Sequence, residues 1–229
     1  MADKLFQKRK AARKQDLARK KASRAERKRV LIVCEGEKTE PFYFRKLVSF
    51  YGLSTIDIQI CGEECGSDPL SVVKYGEQYL GEDSDFEYVF FVFDRDSHTT
   101  YNDALNKINQ LKKKNKYKAI DLHAITSVPC FEIWFLTHFN SNTKPYVESK
   151  GKSSANCVID DLRKYPEFKG YSKGKCDYFD SIKDKIDTAI ENSKILLNSG
   201  QKTGGDLHHI NPTTFVHELV IVLKEISEP

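Results

Sequence analysis

The sequence predicts an α/β protein in which helices flank a parallel β-sheet. Short apolar runs, rich in β-branched and aromatic residues, recur between residues 30 and 126, as is typical of strands buried on both faces. Segments with the apolar spacing of helices separate these runs. Such alternation favours parallel pairing, because each helix returns the chain to the same end of the sheet.

Four strands are predicted. VLIVC at 30–34 is a β-branched run, and IDIQIC at 56–61 alternates apolar and polar residues as a half-exposed strand does. YVFFVF at 88–93 is the most apolar run in the chain, so we expect it at the centre of the sheet. AIDLHAIT at 119–126 completes the set.

Helices are predicted between and after these strands. Thr39 is expected to cap the first helix, with Glu40 in the first turn, where an acid stabilises the helix dipole. Asp68-Pro69 is expected to begin a second helix that runs to about Leu80. YNDALNKINQLKKK, which follows the third strand, reads as another helix, and CFEIWFLTHF at 130–139 as a short buried one.

The chain divides into three parts by composition. Residues 1–28 form a basic arm, 29–140 a sheet domain that carries the chemistry, and 141–229 a helical part packed on it. Helical patterns in the last part are found near 153–164, 177–198 and 212–227.

Charge is distributed unevenly along the chain. The first 29 residues contain 13 Lys and Arg against 3 acids, whereas the remaining 200 contain 24 against 30. The arm has too few apolar residues to form a core, and such segments bind phosphate backbones without reading sequence. We therefore expect it to contact nucleic acid; the alternative is a solvated tail.

Membrane and secretory classes are disfavoured. No apolar run approaches the ~20 residues of a membrane span, and the N-terminus lacks the apolar segment of a secretory signal. Two of the six cysteines, Cys34 and Cys130, lie inside apolar runs, where a reduced thiol behaves as a small hydrophobe. These observations favour a cytoplasmic protein without disulfides.

Acidic residues follow two of the predicted strands. Glu35 ends the first strand, and Asp94 and Asp96 end the third. The carboxyl ends of parallel strands meet at one edge of a sheet, and alternate residues of an extended segment share a face. Carboxylates this close repel each other unless a cation lies between them, so we expect Mg²⁺ or Mn²⁺ here. Glu132, a buried acid without an obvious partner, is expected to reach the same edge.

A plainer interpretation is available for each acid. Glu35 could cap a helix, and Asp94 and Asp96 could lie in a solvated loop. Their joint occurrence at two strand ends favours the metal site.

The motifs carrying these acids resemble known families. VLIVCEGEKTEPFYF and YVFFVFDRDSH resemble the Toprim domain of topoisomerases, primases and OLD nucleases, in which a Glu ends the first strand and a DxD ends the third. Together with SVPCFEIWFLTHF and NPTTFVHELV, they resemble the RloB-like proteins over residues 29 to 225. The resemblance implies a Toprim-like fold with Glu35 as general base or metal ligand, and Asp94 and Asp96 as metal ligands.

The resemblance also implies a biological setting. RloB-like proteins are commonly found beside an ABC-type ATPase of the RloA kind and are associated with phage defence. A metal-dependent nuclease controlled by that ATPase is therefore expected, with tRNA as one candidate substrate. Lys38 would offer a positive charge to the scissile phosphate. A nuclease of this kind could also form an oligomer.

Four further residues are candidates for nucleic-acid contact. Arg95 lies within the DxD and His98 follows it, and His98 is either a proton donor, a phosphate contact or an ordinary loop histidine. Lys173 and Lys175 lie in a basic loop that either holds the substrate backbone or is simply solvated.

Two other functions remain open. The acids could hold a metal in a non-cleaving regulatory subunit of the ATPase complex. DRDSHT also resembles the nucleophile motif of haloacid-dehalogenase-type phosphatases, although that family usually carries it on the first strand of the domain.

Overall fold

The computed structural model describes residues 28–55, 57–96, 98–174 and 178–228. Most of the predicted basic arm lies outside these ranges. No helix within them is long and apolar enough to span a bilayer.

A five-stranded sheet forms the centre of the molecule. In chain order its strands are β1 (Val30–Cys34), β2 (Ile58–Cys61), β3 (Tyr88–Asp94), β4 (Asp121–Val128) and β5 (Thr213–Thr214). The spatial order is β2-β1-β3-β4-β5, and the first four strands pair in parallel. The predicted parallel sheet is thus confirmed, with the most apolar strand, β3, at its centre.

Eight α-helices surround the sheet in the described part of the chain. They are α1 (Thr39–Phe50), α2 (Pro69–Glu82), α3 (Tyr101–Lys112), α4 (Glu132–Thr137), α5 (Ser154–Leu162), α6 (Phe179–Ile182), α7 (Ile186–Lys202) and α8 (Val216–Ser227). The predicted helical C-terminal part is confirmed. The helix expected at 177–198 is divided into α6 and α7 by a 3₁₀ turn, Lys183–Lys185.

Alternate residues of the central strands face two separate cores. Phe90 and Val92 of β3 pack with α1, α4, α7 and α8 on one side of the sheet. Phe91 and Phe93 pack with α2 and α3 on the other. A strand buried on both faces must be apolar at every position, which explains the unbroken run in β3.

Two helix starts were predicted, and one is wrong in detail. Asp68 caps α2 as expected, because its side chain accepts from the backbone N–H groups of Leu70 and Ser71. Thr39 instead is the first helical residue of α1, after Lys38. Its hydroxyl accepts from the N–H of Gly174, 3.3 Å away, so it contacts the C-terminal part of the chain.

The antiparallel strand β5 was not predicted, and the pattern at 212–227 was interpreted as helix alone. Thr214 pairs with Ser127 of β4, and the N–H of Phe215 donates to the carbonyl of Thr126 over 2.9 Å. A two-residue strand is too short to show alternation, and its pairing depends on contacts distant in sequence. The C-terminal part therefore contributes to the sheet as well as covering it.

Two glycines of α2 provide a matched test of packing. A Cβ at Gly76 would lie 2.5 Å from Cε1 of Phe91, whereas one at Gly81 would meet no atom within 4 Å. We expect Gly76→Ala to destabilise the protein by about 1–3 kcal/mol through overpacking. Gly81→Ala should stabilise it by about 0.5–1 kcal/mol, because alanine loses less backbone entropy in a helix. Urea unfolding measures both, and shifts of the same sign would contradict the packing described here.

Candidate active site at the carboxyl edge of the sheet

Glu35 and Asp94 meet where β1 and β3 end. The strands are paired with Cys34 opposite Val92, and the N–H of Glu35 donates to the carbonyl of Val92. The carboxylate of Glu35 turns back across β3, where Oε2 accepts from the N–H of Asp94 at 3.0 Å. Strand pairing thus brings together two acids that are 59 residues apart in sequence.

Asp96 is positioned differently from the extended segment that the DxD spacing predicted. β3 ends at Asp94, and Asp96 lies in the following turn with φ of 25°. The N–H of Asp96 donates to the carbonyl of Pro129, and the N–H of Arg95 donates to the carbonyl of Ser127. The chain therefore bends toward β4. A non-glycine residue in this region of backbone space is strained, and such strain concentrates at functional sites. The side chain is exposed but lies near enough to Glu35 to affect its ionisation.

Glu132 reaches the same edge from the first turn of α4. It is 1% exposed, and Oε1 accepts from the hydroxyl of Tyr171 over 2.8 Å. Oε2 makes no hydrogen bond within the described residues, and the ammonium of Lys173 lies 3.9 Å from it. A buried carboxylate with one unsatisfied oxygen is costly, which suits a position that binds a cation or a proton.

The backbone before Glu132 fixes the orientation of Asp94. The N–H of Phe131 donates to Oδ2 of Asp94 at 3.1 Å. This bond ties the end of β3 to the entry of α4. Asp94 therefore lies between Glu35 on one side and the α4 entry on the other.

Glu40 is a fifth acid of the site, and sequence reasoning missed it. It was interpreted as a first-turn acid of α1, yet its carboxyl group folds back over Gly36, where any Cβ would collide with it. Its charge raises the pKa values of Glu35 and Asp94. Gly36 was the available signal, since a glycine beside an acid leaves room for another group to approach.

These carboxyl groups perturb one another strongly. Burial raises the pKa of Glu35 to about 7, with further increases from Glu40, Asp68 and Asp96 and a decrease from the N–H of Asp94. Burial likewise raises the pKa of Glu40 to about 7, and Glu132 adds to the rise.

Asp94 is shifted in the same direction. Burial raises its pKa well above the ordinary value, and the charges of Glu40, Glu132 and Glu35 add to this effect. Clusters of acids that raise one another's pKa values in this way are typical of sites that bind cations or exchange protons.

Lys173 supplies positive charge to the cluster. Burial by itself would lower the pKa of the ammonium, but Glu132, Cys130, Asp94 and Glu40 raise it above its ordinary value. The residue therefore faces the acids, whereas the sequence suggested a contact to the substrate backbone. Lys175, its predicted companion, lies outside the described residues.

The remaining candidates fall into two groups. Nε2 of His98 lies 2.9 Å from Oε1 of Glu35, so this histidine belongs to the site. Lys38 precedes α1 and its side chain packs beside Gly174. Arg95 points away from the edge, because its Nη1 donates to the carbonyl of His209 at 3.2 Å. Its predicted role in nucleic-acid contact stays a prediction.

Two residues at the start of α3 also contact the 206–209 turn. The hydroxyl of Tyr101 donates to the carbonyl of His208 at 2.6 Å, and Oδ1 of Asn102 lies 2.9 Å from Nε2 of His209. Together with the hydrogen bond of Arg95, these contacts fasten the end of β3 and the start of α3 to this turn.

The donor set suits a hard divalent cation. The carboxyl groups of Glu35, Asp94, Asp96, Glu40 and Glu132 present only oxygen atoms, which Mg²⁺ and Mn²⁺ prefer. Oε2 of Glu132 accepts no hydrogen bond within the described residues and faces the ammonium of Lys173. Among the described residues, no three His, Cys, Asp or Glu side chains already converge as a preformed metal-binding group. The chemistry of the residues fits a metal, then, although their side chains are not arranged as a finished coordination shell.

The fold and the site define an α/β protein with a cluster of mutually perturbed carboxylates at the carboxyl edge of its sheet. A model of the family described as RloB-like protein matches residues 30–223. The chain therefore belongs to the RloB-like family. No curated protein and no solved structure matches it.

Proposed function

We propose that this RloB-like protein is a Mg²⁺- or Mn²⁺-dependent nuclease that hydrolyses phosphodiester bonds. The observation that carries the proposal is that Oε2 of Glu35 accepts from the backbone N–H of Asp94 at 3.0 Å, with the carboxyl groups of Glu40 and Glu132 close enough to raise the pKa of Asp94. Glu35, Asp94 and Asp96 would hold the ion. When bound, it would supply Lewis-acid stabilisation to the phosphate and activate water.

Glu35 is suited to act as general base. Its pKa of about 7 matches the operating pH of a cytoplasmic enzyme, where a base is most effective. The N–H of Asp94 fixes one carboxylate oxygen and His98 faces the other, so the orientation of the base is set before substrate arrives. His98 would also accept or deliver a proton at this position.

The lysines would stabilise negative charge. Lys173 faces Glu132 and Asp94, and Lys38 lies at the start of α1 beside the same loop. A fixed positive charge close to a phosphate favours the transition state more than the ground state, because charge develops there during reaction. Glu132 would hold Lys173 in place.

Family membership supports the biological part of the proposal. The nuclease would act in anti-phage defence together with an ABC-type ATPase of the RloA kind, and tRNA is a candidate substrate. Binding of the ATPase would then control access to the acidic edge.

The test compares the wild-type protein with an Asp94→Asn, Asp96→Asn double variant. Each is incubated with labelled DNA or total tRNA in Mg²⁺ or Mn²⁺, with and without the ATPase. The double variant is expected to lose at least about 100-fold in rate, since a bound metal contributes several kcal/mol of transition-state stabilisation. Asp103→Asn, an exposed acid in the first turn of α3, is the control and should cleave normally.

Other outcomes would identify another function. Equal behaviour of wild type and double variant on every substrate would exclude the nuclease. Release of phosphate from an aryl phosphate, abolished by Asp94→Asn alone, would indicate a phosphatase. A stable metal-dependent complex without turnover would indicate a regulatory binding subunit.

A further inference from the structure

The outer face of α1 combines aromatic rings with positive charge. Phe42, Arg45, Lys46 and Phe50 recur three to four residues apart along much of this helix, so they share one face. Arg45 and Lys46 are exposed, and Phe42 and Phe50 are 37% and 47% exposed. We call these four residues the α1 stripe.

Both rings remain partly exposed, although the ring of Phe50 also meets that of Phe179 edge to face, with 5.9 Å between the ring centroids. The opposite face of α1 already buries Tyr43, Phe44 and Leu47. The described residues include five exposed large hydrophobic side chains, and two of them lie on the α1 stripe. Exposed aromatic residues grouped with cations usually mark a binding surface.

Charge on the stripe is positive. Beyond Glu40, α1 has no acidic residue. The guanidinium group of Arg45 lies 5.9 Å from the ring centroid of Phe42, so cation and ring form one surface. Lys46 lies 3.8 Å from Asp180 of α6, an exposed pair that solvent screens.

The stripe leads away from the candidate active site. α1 begins with Thr39 and Glu40, and the carboxyl of Glu40 lies in the acidic cluster. From Phe42 to Phe50 the helix advances about 12 Å. Glu40 shares the face of α1 that carries Phe44 and Leu47, so a chain bound at Glu35 would pass around the first turn of α1 to reach the stripe.

We propose that the α1 stripe binds single-stranded nucleic acid, and that the substrate strand continues along it from the acidic site. This inference rests on the proposed function, since it names the class of nucleic acid that the site would act on. Phe42 and Phe50 would stack on bases while Arg45 and Lys46 contact phosphates. In a duplex each base is already stacked on its neighbours and paired, so the rings reach bases only in single strands, loops or ends.

The test measures binding separately from cleavage. Fluorescence anisotropy of the full chain in EDTA is recorded with single-stranded RNA, single-stranded DNA and the matching duplexes, at low and high salt. Phe42→Ala should weaken single-strand binding about tenfold, as loss of one stacked base does, and Phe42→Leu should weaken it similarly because the ring is lost. The loss should persist at high salt, since stacking is less screened than the phosphate contacts of the basic N-terminal segment.

A matched control uses another exposed apolar residue. Ile195 on α7 is 49% exposed, and Ile195→Ala should bind like the wild type. Unchanged binding by Phe42→Ala, equal loss in Ile195→Ala, or duplex binding as tight and as sensitive as that of single strands would each overturn the proposal.

The two proposals can fail independently. If the protein binds single strands through Phe42 but cleaves no substrate in Mg²⁺ or Mn²⁺, the proposal for the α1 stripe is supported and the nuclease proposal is contradicted. Cleavage that does not depend on Asp94 and Asp96, with binding sensitive to Phe42, would have the same meaning. If cleavage depends on metal but Phe42→Ala does not change binding, only the proposal for the α1 stripe is contradicted.

Discussion

Replacement of Glu35 by glutamine is expected to reduce metal-dependent cleavage by at least about 100-fold, the scale on which removal of a group that stabilises the transition state acts. Glutamine keeps an oxygen that accepts from the N–H of Asp94, so the junction of β1 and β3 is preserved. It cannot take a proton from water and binds a cation more weakly. Initial rates with labelled nucleic acid measure the loss.

The pH dependence of the wild type gives a second readout. In the metal-free enzyme the pKa of Glu35 is about 7, so kcat/KM should rise with pH through this region as the base loses its proton. A bound cation favours the carboxylate, so the rise should move to lower pH as metal concentration increases. Glu35→Gln should lack the rise.

Glu37 provides the control for this variant. It lies in the same loop but is exposed, so Glu37→Gln should keep both the rate and the pH profile. A Glu35→Gln protein with wild-type rate and profile would contradict the assignment of the base.

The second large effect concerns stability in the absence of metal. Burial raises the pKa of Glu40 from 4.5 to about 7, so the folded protein holds this proton more tightly than the unfolded chain. Stability from this group is fully present below about pH 4.5 and is lost as pH rises to about 7. The shift corresponds to about 3 kcal/mol above pH 7.

Glu40→Gln removes this cost. In EDTA at pH 8 the variant should melt about 5–10 °C above the wild type, and at pH 5 the difference should nearly vanish. Mg²⁺ or Mn²⁺ should raise the Tm of the wild type at pH 8 more than that of the variant, because a cation stabilises the charged cluster. Thermal melts over this pH range measure all three.

Glu37→Gln again serves as control and should follow the wild type at each pH. A Glu40→Gln difference that is the same at pH 5 and pH 8 would show that Glu40 does not titrate within the cluster. Metal binding can be followed by the same melts without any activity.

The sequence anticipated the sheet because its evidence is local. VLIVC and YVFFVF are apolar at every position, which indicates burial on both faces, and both strands lie where expected. Glu35 and Asp94 could be placed together for the same reason, since the carboxyl ends of parallel strands coincide. Asp68 could be identified as a helix cap because the cap and the Pro69 that follows it are adjacent.

Other features depend on contacts between distant residues. From its place in the first turn of α1, Glu40 was interpreted as a helix-dipole acid. Its carboxyl group in fact lies over Gly36, and the path of the loop after β1 brings the two residues together. Arg95 was predicted to contact nucleic acid, and only the fold places its guanidinium group beside the carbonyl of His209. Lys173 was predicted to hold the substrate backbone or to be solvated, and only the fold brings its ammonium group within 3.9 Å of Glu132.

The sequence by itself determined the order of strands and helices, the edge at which the acids gather, and the uneven charge of the chain. Periodicity and residue type are enough for these, because they record which face of each element is buried. Only the tertiary structure decided which carboxylates raise one another's pKa values, which lysine lies beside them and which face of α1 is left uncovered. Those properties depend on distances of a few ångströms between segments, and electrostatic energy varies too steeply with distance and burial for sequence spacing to fix it.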